Sequence, residues 1–217
     1  MFVNVVLYVV RLMPAKRVLE EMAQERAPGP HPSFSVFDLV RALEIFADSG
    51  PVGRGKVAEK MGLGKGVART MIERMRSEGV IRVAKVGCEL APRGHKIWME
   101  IKGTMSAKVE LREELSILAK HSIAVLVRDK SAMVVKGLEQ RDAAVKVGAR
   151  GAITLVFRDN SIMLPSLDED LTKDYSEILS QLVSSMNLED GDVLIISGAD
   201  EPRLAEIGAL AAAWTLI

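Results

Sequence analysis

The chain holds a single cysteine, Cys88, in 217 residues, so no intrachain disulfide can form. Such usage fits a reducing compartment, and a cytoplasmic location is expected. No apolar run reaches the roughly 18–20 residues that a membrane span needs. The opening MFVNVVLYVVRLM is apolar but short, and it lacks the basic leader and small-residue cleavage site of a signal peptide. It reads as a short strand or an oligomer contact, or as sequence ahead of a true start at Met13 or Met22. His31, His95 and His121 lie far apart, and no HExxH pattern or cysteine–histidine cluster accompanies them. A metal site therefore has no ligand set to rest on. No Gly-Lys-Ser/Thr phosphate loop occurs either, and Asp168-Glu169-Asp170 is explained as a solvated loop or helix start. With no converging titratable groups in view, neither an enzyme nor a cofactor is expected.

What is present is an uneven distribution of charge. The formal net charge is zero, yet residues 31–103 carry 13 Lys and Arg against 8 Asp and Glu, and residues 104–217 carry 12 against 18. A basic part joined to an acidic part suggests that one half meets a polyanion and the other does not. Apolar residues form 48% of the chain, enough for a real core.

Three prolines in Ala27-Pro28-Gly29-Pro30-His31-Pro32 mark a linker, and residues 1–33 are read as a leading segment with one short helix from Lys16 to Arg26. Residues 34–103 then follow a recognisable grammar. Ser33 to Gly50 is helical by period, with Ser35 and Asp38 in N-cap spacing. A shorter helix runs from Arg54 to Met61, and Gly62-Leu63-Gly64 is a tight turn. A third helix runs from Lys65 to Ser77 and stops at Gly79. Two short strands, Val80–Lys85 and Cys88–Ala91, flank a Val86-Gly87 turn, and a short helix near Trp98 closes the domain. Three helices and a hairpin in that order predict a winged helix-turn-helix.

Such a domain binds double-stranded DNA when its third helix is apolar inside and basic outside. Val67, Ala68, Met71, Ile72 and Met75 supply the inner face. Lys65, Arg69, Thr70, Glu73 and Arg76 fall outward, and Gly64 and Gly66 keep the helix start slim for phosphate approach. Arg69 is the candidate for a base edge, and Thr70 for a base or a phosphate. Arg54, Lys56 and Lys60 on the second helix, with Arg82 and Lys85 on the wing, are candidate phosphate contacts. The alternative is a protein-interaction adaptor that uses the winged helix as a docking module. An outer face neutralised by acidic neighbours would favour it.

Residues 107–217 predict an α/β domain with an antiparallel or mixed sheet, giving an α+β chain overall. The expected order is a helix at Val109–Lys120, a strand at Ile123–Val127 and a second strand at Met133–Lys136. A helix at Leu138–Val147, a hairpin at Ile153–Leu164, a helix at Thr172–Met186, a strand at Val193–Ser197 and a helix at Pro202–Leu216 follow. Arg-Asp-x-Ser-x-Met occurs at 128–133 and again at 158–163, which reads either as a weak internal repeat or as shared turn chemistry. Lys136, Gly137 and Arg141 at a helix start are the candidate site for a small anionic effector. The Ala-rich last helix is expected to be buried, within the chain or across a homodimer.

The stretch Pro51-Val52-Gly53-Arg54-Gly55-Lys56-Val57-Ala58-Glu59-Lys60-Met61-Gly62-Leu63, then Val67-Ala68-Arg69, resembles the DNA-binding domain of the central glycolytic gene regulator group. The resemblance implies a DNA-binding winged helix. The sugar-phosphate effector domain of those regulators is much longer than the acidic half here, so their ligand is not carried over. The whole chain also resembles an uncharacterised archaeal family that pairs a winged helix with an α/β domain, which implies a transcriptional regulator.

Overall fold

The structure is a computed structural model that describes residues 15–24, 33–111, 118–159, 161–165, 169–170, 182 and 185–217. The expected leading strand at 1–13, the linker at 27–32 and most of the helix expected at Thr172–Met186 lie outside the described residues. Two units divide the chain, Met1–Glu100 and Ile101–Ile217.

The first unit contains α1 (Ala15–Ala23), α2 (Val36–Ser49), α3 (Arg54–Met61), α4 (Lys65–Ser77), β1 (Ile81–Ala84), β2 (Gly87–Leu90) and most of α5 (Pro92–Thr104). A complete capping box starts α2. The Ser35 hydroxyl accepts from the Asp38 amide, and the Asp38 carboxylate accepts from the Ser35 amide at 2.9 Å. Leu39, Leu43, Phe46, Val57, Met61, Met71, Ile72 and Met75 are buried together, each such side chain worth about 1.5–3 kcal/mol against exposure. The helix α1, expected within the leading segment, packs into this unit through Leu19 and Met22. Arg74 fastens its end by donating to the carbonyls of Met22 at 2.9 Å and Gln24 at 2.7 Å, with its guanidinium over the Phe34 ring.

The hairpin pairs Ile81 with Leu90 and Ala84 with Gly87. Val52, between α2 and α3, adds a short third rung by exchanging two backbone bonds of 2.8 Å with Cys88. Gly87 (φ 141) is required there, because a Cβ would stand 2.7 Å from the Val52 carbonyl carbon. Three helices and a hairpin thus follow one another in the order that the sequence predicts for residues 34–103. Burial pushes the Cys88 thiol up, with Arg54 opposing the shift. Such a shift disfavours the thiolate, the reactive form of the side chain.

In the second unit, β3 (Met105–Leu111), β4 (His121–Val127), β5 (Gly151–Arg158), β6 (Ser161–Leu164), β7 (Glu169–Asp170) and β8 (Val193–Ala199) form one sheet, ordered β3-β4-β8-β5-β6-β7, with every pair antiparallel. All seven residues of β8 are buried, as befits a central strand covered on both faces. On one face Ala124, Leu126, Leu155, Phe157, Ile162, Leu194 and Ile196 pack with Leu182 and Met186. On the other lie α6 (Leu138–Lys146) and α7 (Pro202–Trp214). Residues Ile207 to Trp214 of α7 are buried within the chain, which settles the source of that burial. A Cβ added at Gly208 would meet the Ser197 hydroxyl and stand 2.6 Å from the Ala149 Cβ, so glycine lets α7 lie close here.

Two expected elements differ. Residues 109–111, expected to open a helix, instead end the edge strand 105–111, because pairing with β4 overrides the helix-forming Glu110 and Leu111. Residues 112–117 lie outside the described residues. Residues 133–136 form no strand. A 3₁₀ turn at Ser131–Met133 replaces it, and the Ser131 amide donates to the Gly191 carbonyl. Both edges of β4 are already taken by β3 and β8, so a hairpin partner has no place to pair. The second copy of the repeat does form a hairpin, β5–β6, and Asp129 and Asp159 share a left-handed backbone (φ 49 and 52).

Candidate nucleic-acid interface

Lys65, Arg69 and Arg76 are exposed on α4, with Lys65 and Arg69 one turn apart. The side chains of Lys56, Lys65, Arg69 and Lys85 have no hydrogen-bond or ion-pair partner among the described residues. The other cations are engaged. Glu73 pairs with Arg76 at 2.9 Å and with Arg54 at 3.9 Å, which brings the start of α3 beside the outer face of α4. Arg82 pairs with Glu89 across the hairpin at 2.8 Å, and Lys60 donates to the Ser49 hydroxyl at 2.9 Å. Exposed pairs of this kind are worth about 0–1 kcal/mol, so a phosphate can displace either carboxylate at small cost. The Thr70 hydroxyl donates to the Gly66 carbonyl at 3.1 Å. Its lone pairs are open to a base amino group, while a phosphate contact would require its proton to turn away from the helix.

The ends of these helices carry a contrast that sequence spacing only hinted at. The start of α2 is capped by Ser35 and has Asp38 in its first turn. The starts of α3 and α4 are capped by Gly53 and Gly64, with no side-chain cap bond and no acidic residue in the first turn. Their first amides and their positive dipole ends are left for an outside acceptor. Gly66 is not demanded by packing, since a Cβ there meets nothing within 4 Å. Gly66→Ala is therefore expected to stabilise the free protein by up to about 1 kcal/mol through helix propensity. The same change is expected to weaken binding to DNA, read by thermal melts beside fragment titrations. Equal DNA affinity would remove the steric role assigned to this glycine.

The expected effector site is only partly assembled. Gly137 (φ 73) caps α6, and a Cβ there would meet the Thr154 Cβ at 3.0 Å, so the glycine has a packing reason. Lys136 is exposed beside it. Arg141, however, turns to its neighbour Asp142 at 2.9 Å, and Glu139 occupies the first turn. Among the described residues no group of three or more His, Cys, Asp or Glu side chains is placed to hold a metal ion. Nor is any described helix long and apolar enough to cross a membrane.

These features define an α+β protein with a helical N-terminal unit and an antiparallel sheet unit behind it in sequence. Residues 118–216 match the family model of a domain of unknown function, DUF4443. The chain is similar to the solved structure of hypothetical protein PH0730 from Pyrococcus horikoshii OT3, at 28% identity and a TM-score of 0.68, over 85% of this chain and 93% of that one. No curated protein matches. The two matches fit an uncharacterised archaeal family, and neither extends the resemblance to the central glycolytic gene regulators.

Proposed function

We propose that the protein is a DNA-binding transcriptional regulator in which α4 reads the major groove and the β1–β2 hairpin lies along the backbone. The observation that carries this reading is the pair of glycine-capped, acid-free helix starts at α3 and α4, beside Lys56, Lys65 and Arg69, whose side chains are unpaired among the described residues. Lys85 on the hairpin and the net basic charge of residues 31–103 support it. In this reading Arg69 contacts a base, Arg54, Lys56, Lys60, Arg76, Arg82 and Lys85 contact phosphates, and Thr70 contacts either. The sheet unit supplies homodimerisation or sensing of a small effector, since a dimer suits two-fold operators.

Purified protein is expected to retain genomic DNA fragments at about 50 mM salt, with log affinity falling by about 0.9 per released phosphate contact for each tenfold rise in salt. No retention, or retention indifferent to salt, overturns the reading. The adaptor alternative is favoured by the pairing of Arg54 and Arg76 with Glu73 and of Arg82 with Glu89, which screens part of the basic face. Retention that responds to salt decides against it.

A further inference from the structure

A cavity of about 300 Å³ lies in the sheet unit, lined by Ser131, Val134, Val156, Arg158, Asp159, Ser161, Met163 and Pro165. Both copies of the Arg-Asp-x-Ser motif contribute to it. The two copies are used differently. In the first, Arg128 is bound to the buried Asp192 at 2.6 Å and to the Asn187 carbonyl at 2.8 Å, and the Asp129 amide donates to Asp192 at 3.1 Å. In the second, the side chains of Arg158 and Asp159 have no hydrogen-bond or ion-pair partner among the described residues, not even each other. A hairpin end needs turn geometry and not two unpaired opposite charges facing one cavity.

The register of β5 and β6 orders the lining. Arg158 pairs with Ser161, and Val156 pairs with Met163. Side chains two residues apart share a face of a strand, so these four form one row. The row is polar at the hairpin end and apolar beyond it. Phe157 and Ile162 point the other way, into the core. Val134 and Pro165 add apolar wall, and Ser131 adds a second hydroxyl.

We propose that this cavity binds a free α-amino acid with an apolar side chain. Arg158, helped by the Ser131 and Ser161 hydroxyls, holds the carboxylate. Asp159 accepts from the ammonium group. Val134, Val156, Met163 and Pro165 cover the side chain. The volume, about 300 Å³, sits at the small end of the roughly 300–1,000 Å³ of ligand sites and suits a metabolite of this size. One cation and one anion in the lining select a net-neutral head. A phosphate dianion would meet the Asp159 carboxylate inside a unit that is already acidic, where residues 104–217 carry 18 Asp and Glu against 12 Lys and Arg. This inference does not rest on the DNA-binding reading, and its test reads binding without DNA.

Calorimetric titration of the full chain with leucine, methionine, valine and phenylalanine is expected to give saturable binding by at least one of them. If leucine is the ligand, 4-methylpentanoate, which lacks the ammonium group, and 3-methylbutylamine, which lacks the carboxylate, should each bind about tenfold or more weakly, because each leaves one charge of the site unanswered. Arg158→Gln should weaken the amino acid about tenfold or more and leave the amine unchanged. Asp159→Asn, which keeps a residue tolerant of the left-handed backbone, should weaken the amino acid and leave 4-methylpentanoate unchanged. Thermal melts of both variants establish that they remain folded. No binding by any of the four at millimolar concentration overturns the proposal. So does binding insensitive to Arg158→Gln. Inorganic phosphate binding more tightly than every amino acid also overturns it and makes the cavity an anion site instead.

Discussion

Arg69→Ala is expected to weaken binding to a preferred DNA site by about 1–3 kcal/mol and to flatten the preference at one base position. The side chain is exposed and unpartnered among the described residues, so its removal should leave the thermal stability of the free protein within about 0.5 kcal/mol. The loss would therefore be read as a lost contact and not as unfolding. Arginine suits the role because its fork can donate two parallel bonds to guanine. Lys85→Ala provides the contrast. It should weaken all sequences alike and lower the salt slope by about 1, as a lost phosphate contact does. A selected-site competition assay in which Arg69→Ala keeps the full sequence preference would move the reading role to another residue of α4.

The other large effect is structural. Asp192 is 2% exposed, and its carboxylate accepts from Arg128 at 2.6 Å, from the Glu189 amide at 2.9 Å and from the Asp129 amide at 3.1 Å. Asp192→Ala leaves two backbone donors and a guanidinium without that acceptor. The expected loss is about 2–4 kcal/mol, the lower part of the range applying where Arg128 turns to water. Asp192→Asn keeps one carbonyl acceptor and should lose less. Trp98 lies in the first unit and Trp214 in the second. Urea unfolding followed by Trp214 fluorescence in a Trp98→Phe background isolates the affected unit. An unchanged midpoint would show that the three bonds are replaced by water without cost.

Local rules were legible where the partner lies within a few residues. The Ser35–Asp38 box, the left-handed stop at Gly62 and the hairpin around Arg158 to Ser161 all depend on neighbours that sequence spacing brings together. The misread elements depend on distant ones. Residues 105–111 carry helix formers, but β4 claims them as an edge strand. Residues 133–136 have strand-forming valines, but both edges of β4, the strand they would follow in a hairpin, are already taken by β3 and β8. Charge was legible as composition and not as availability. Glu73 was visibly outward, yet its joint hold on Arg54 and Arg76 requires the packing of α3 against α4. The repeated Arg-Asp-x-Ser motif was visible too. Which copy is engaged was decided by Asp192, far along the chain from the first copy and absent from any local pattern.

The crossing of Val52 over Gly87 fixes the manner in which the first unit meets any partner. Two backbone bonds tie the hairpin to the segment that leads into α3, and no side chain at position 87 can prise them apart. Hairpin and helices thus arrive as one preset body, and little conformational entropy remains to be lost on docking. A stiff body adapts poorly to the shape of a partner. If the partner is a duplex, misfit is taken up by bending or narrowing the grooves, so the ease with which a sequence deforms becomes part of what is recognised, even at bases no side chain reaches.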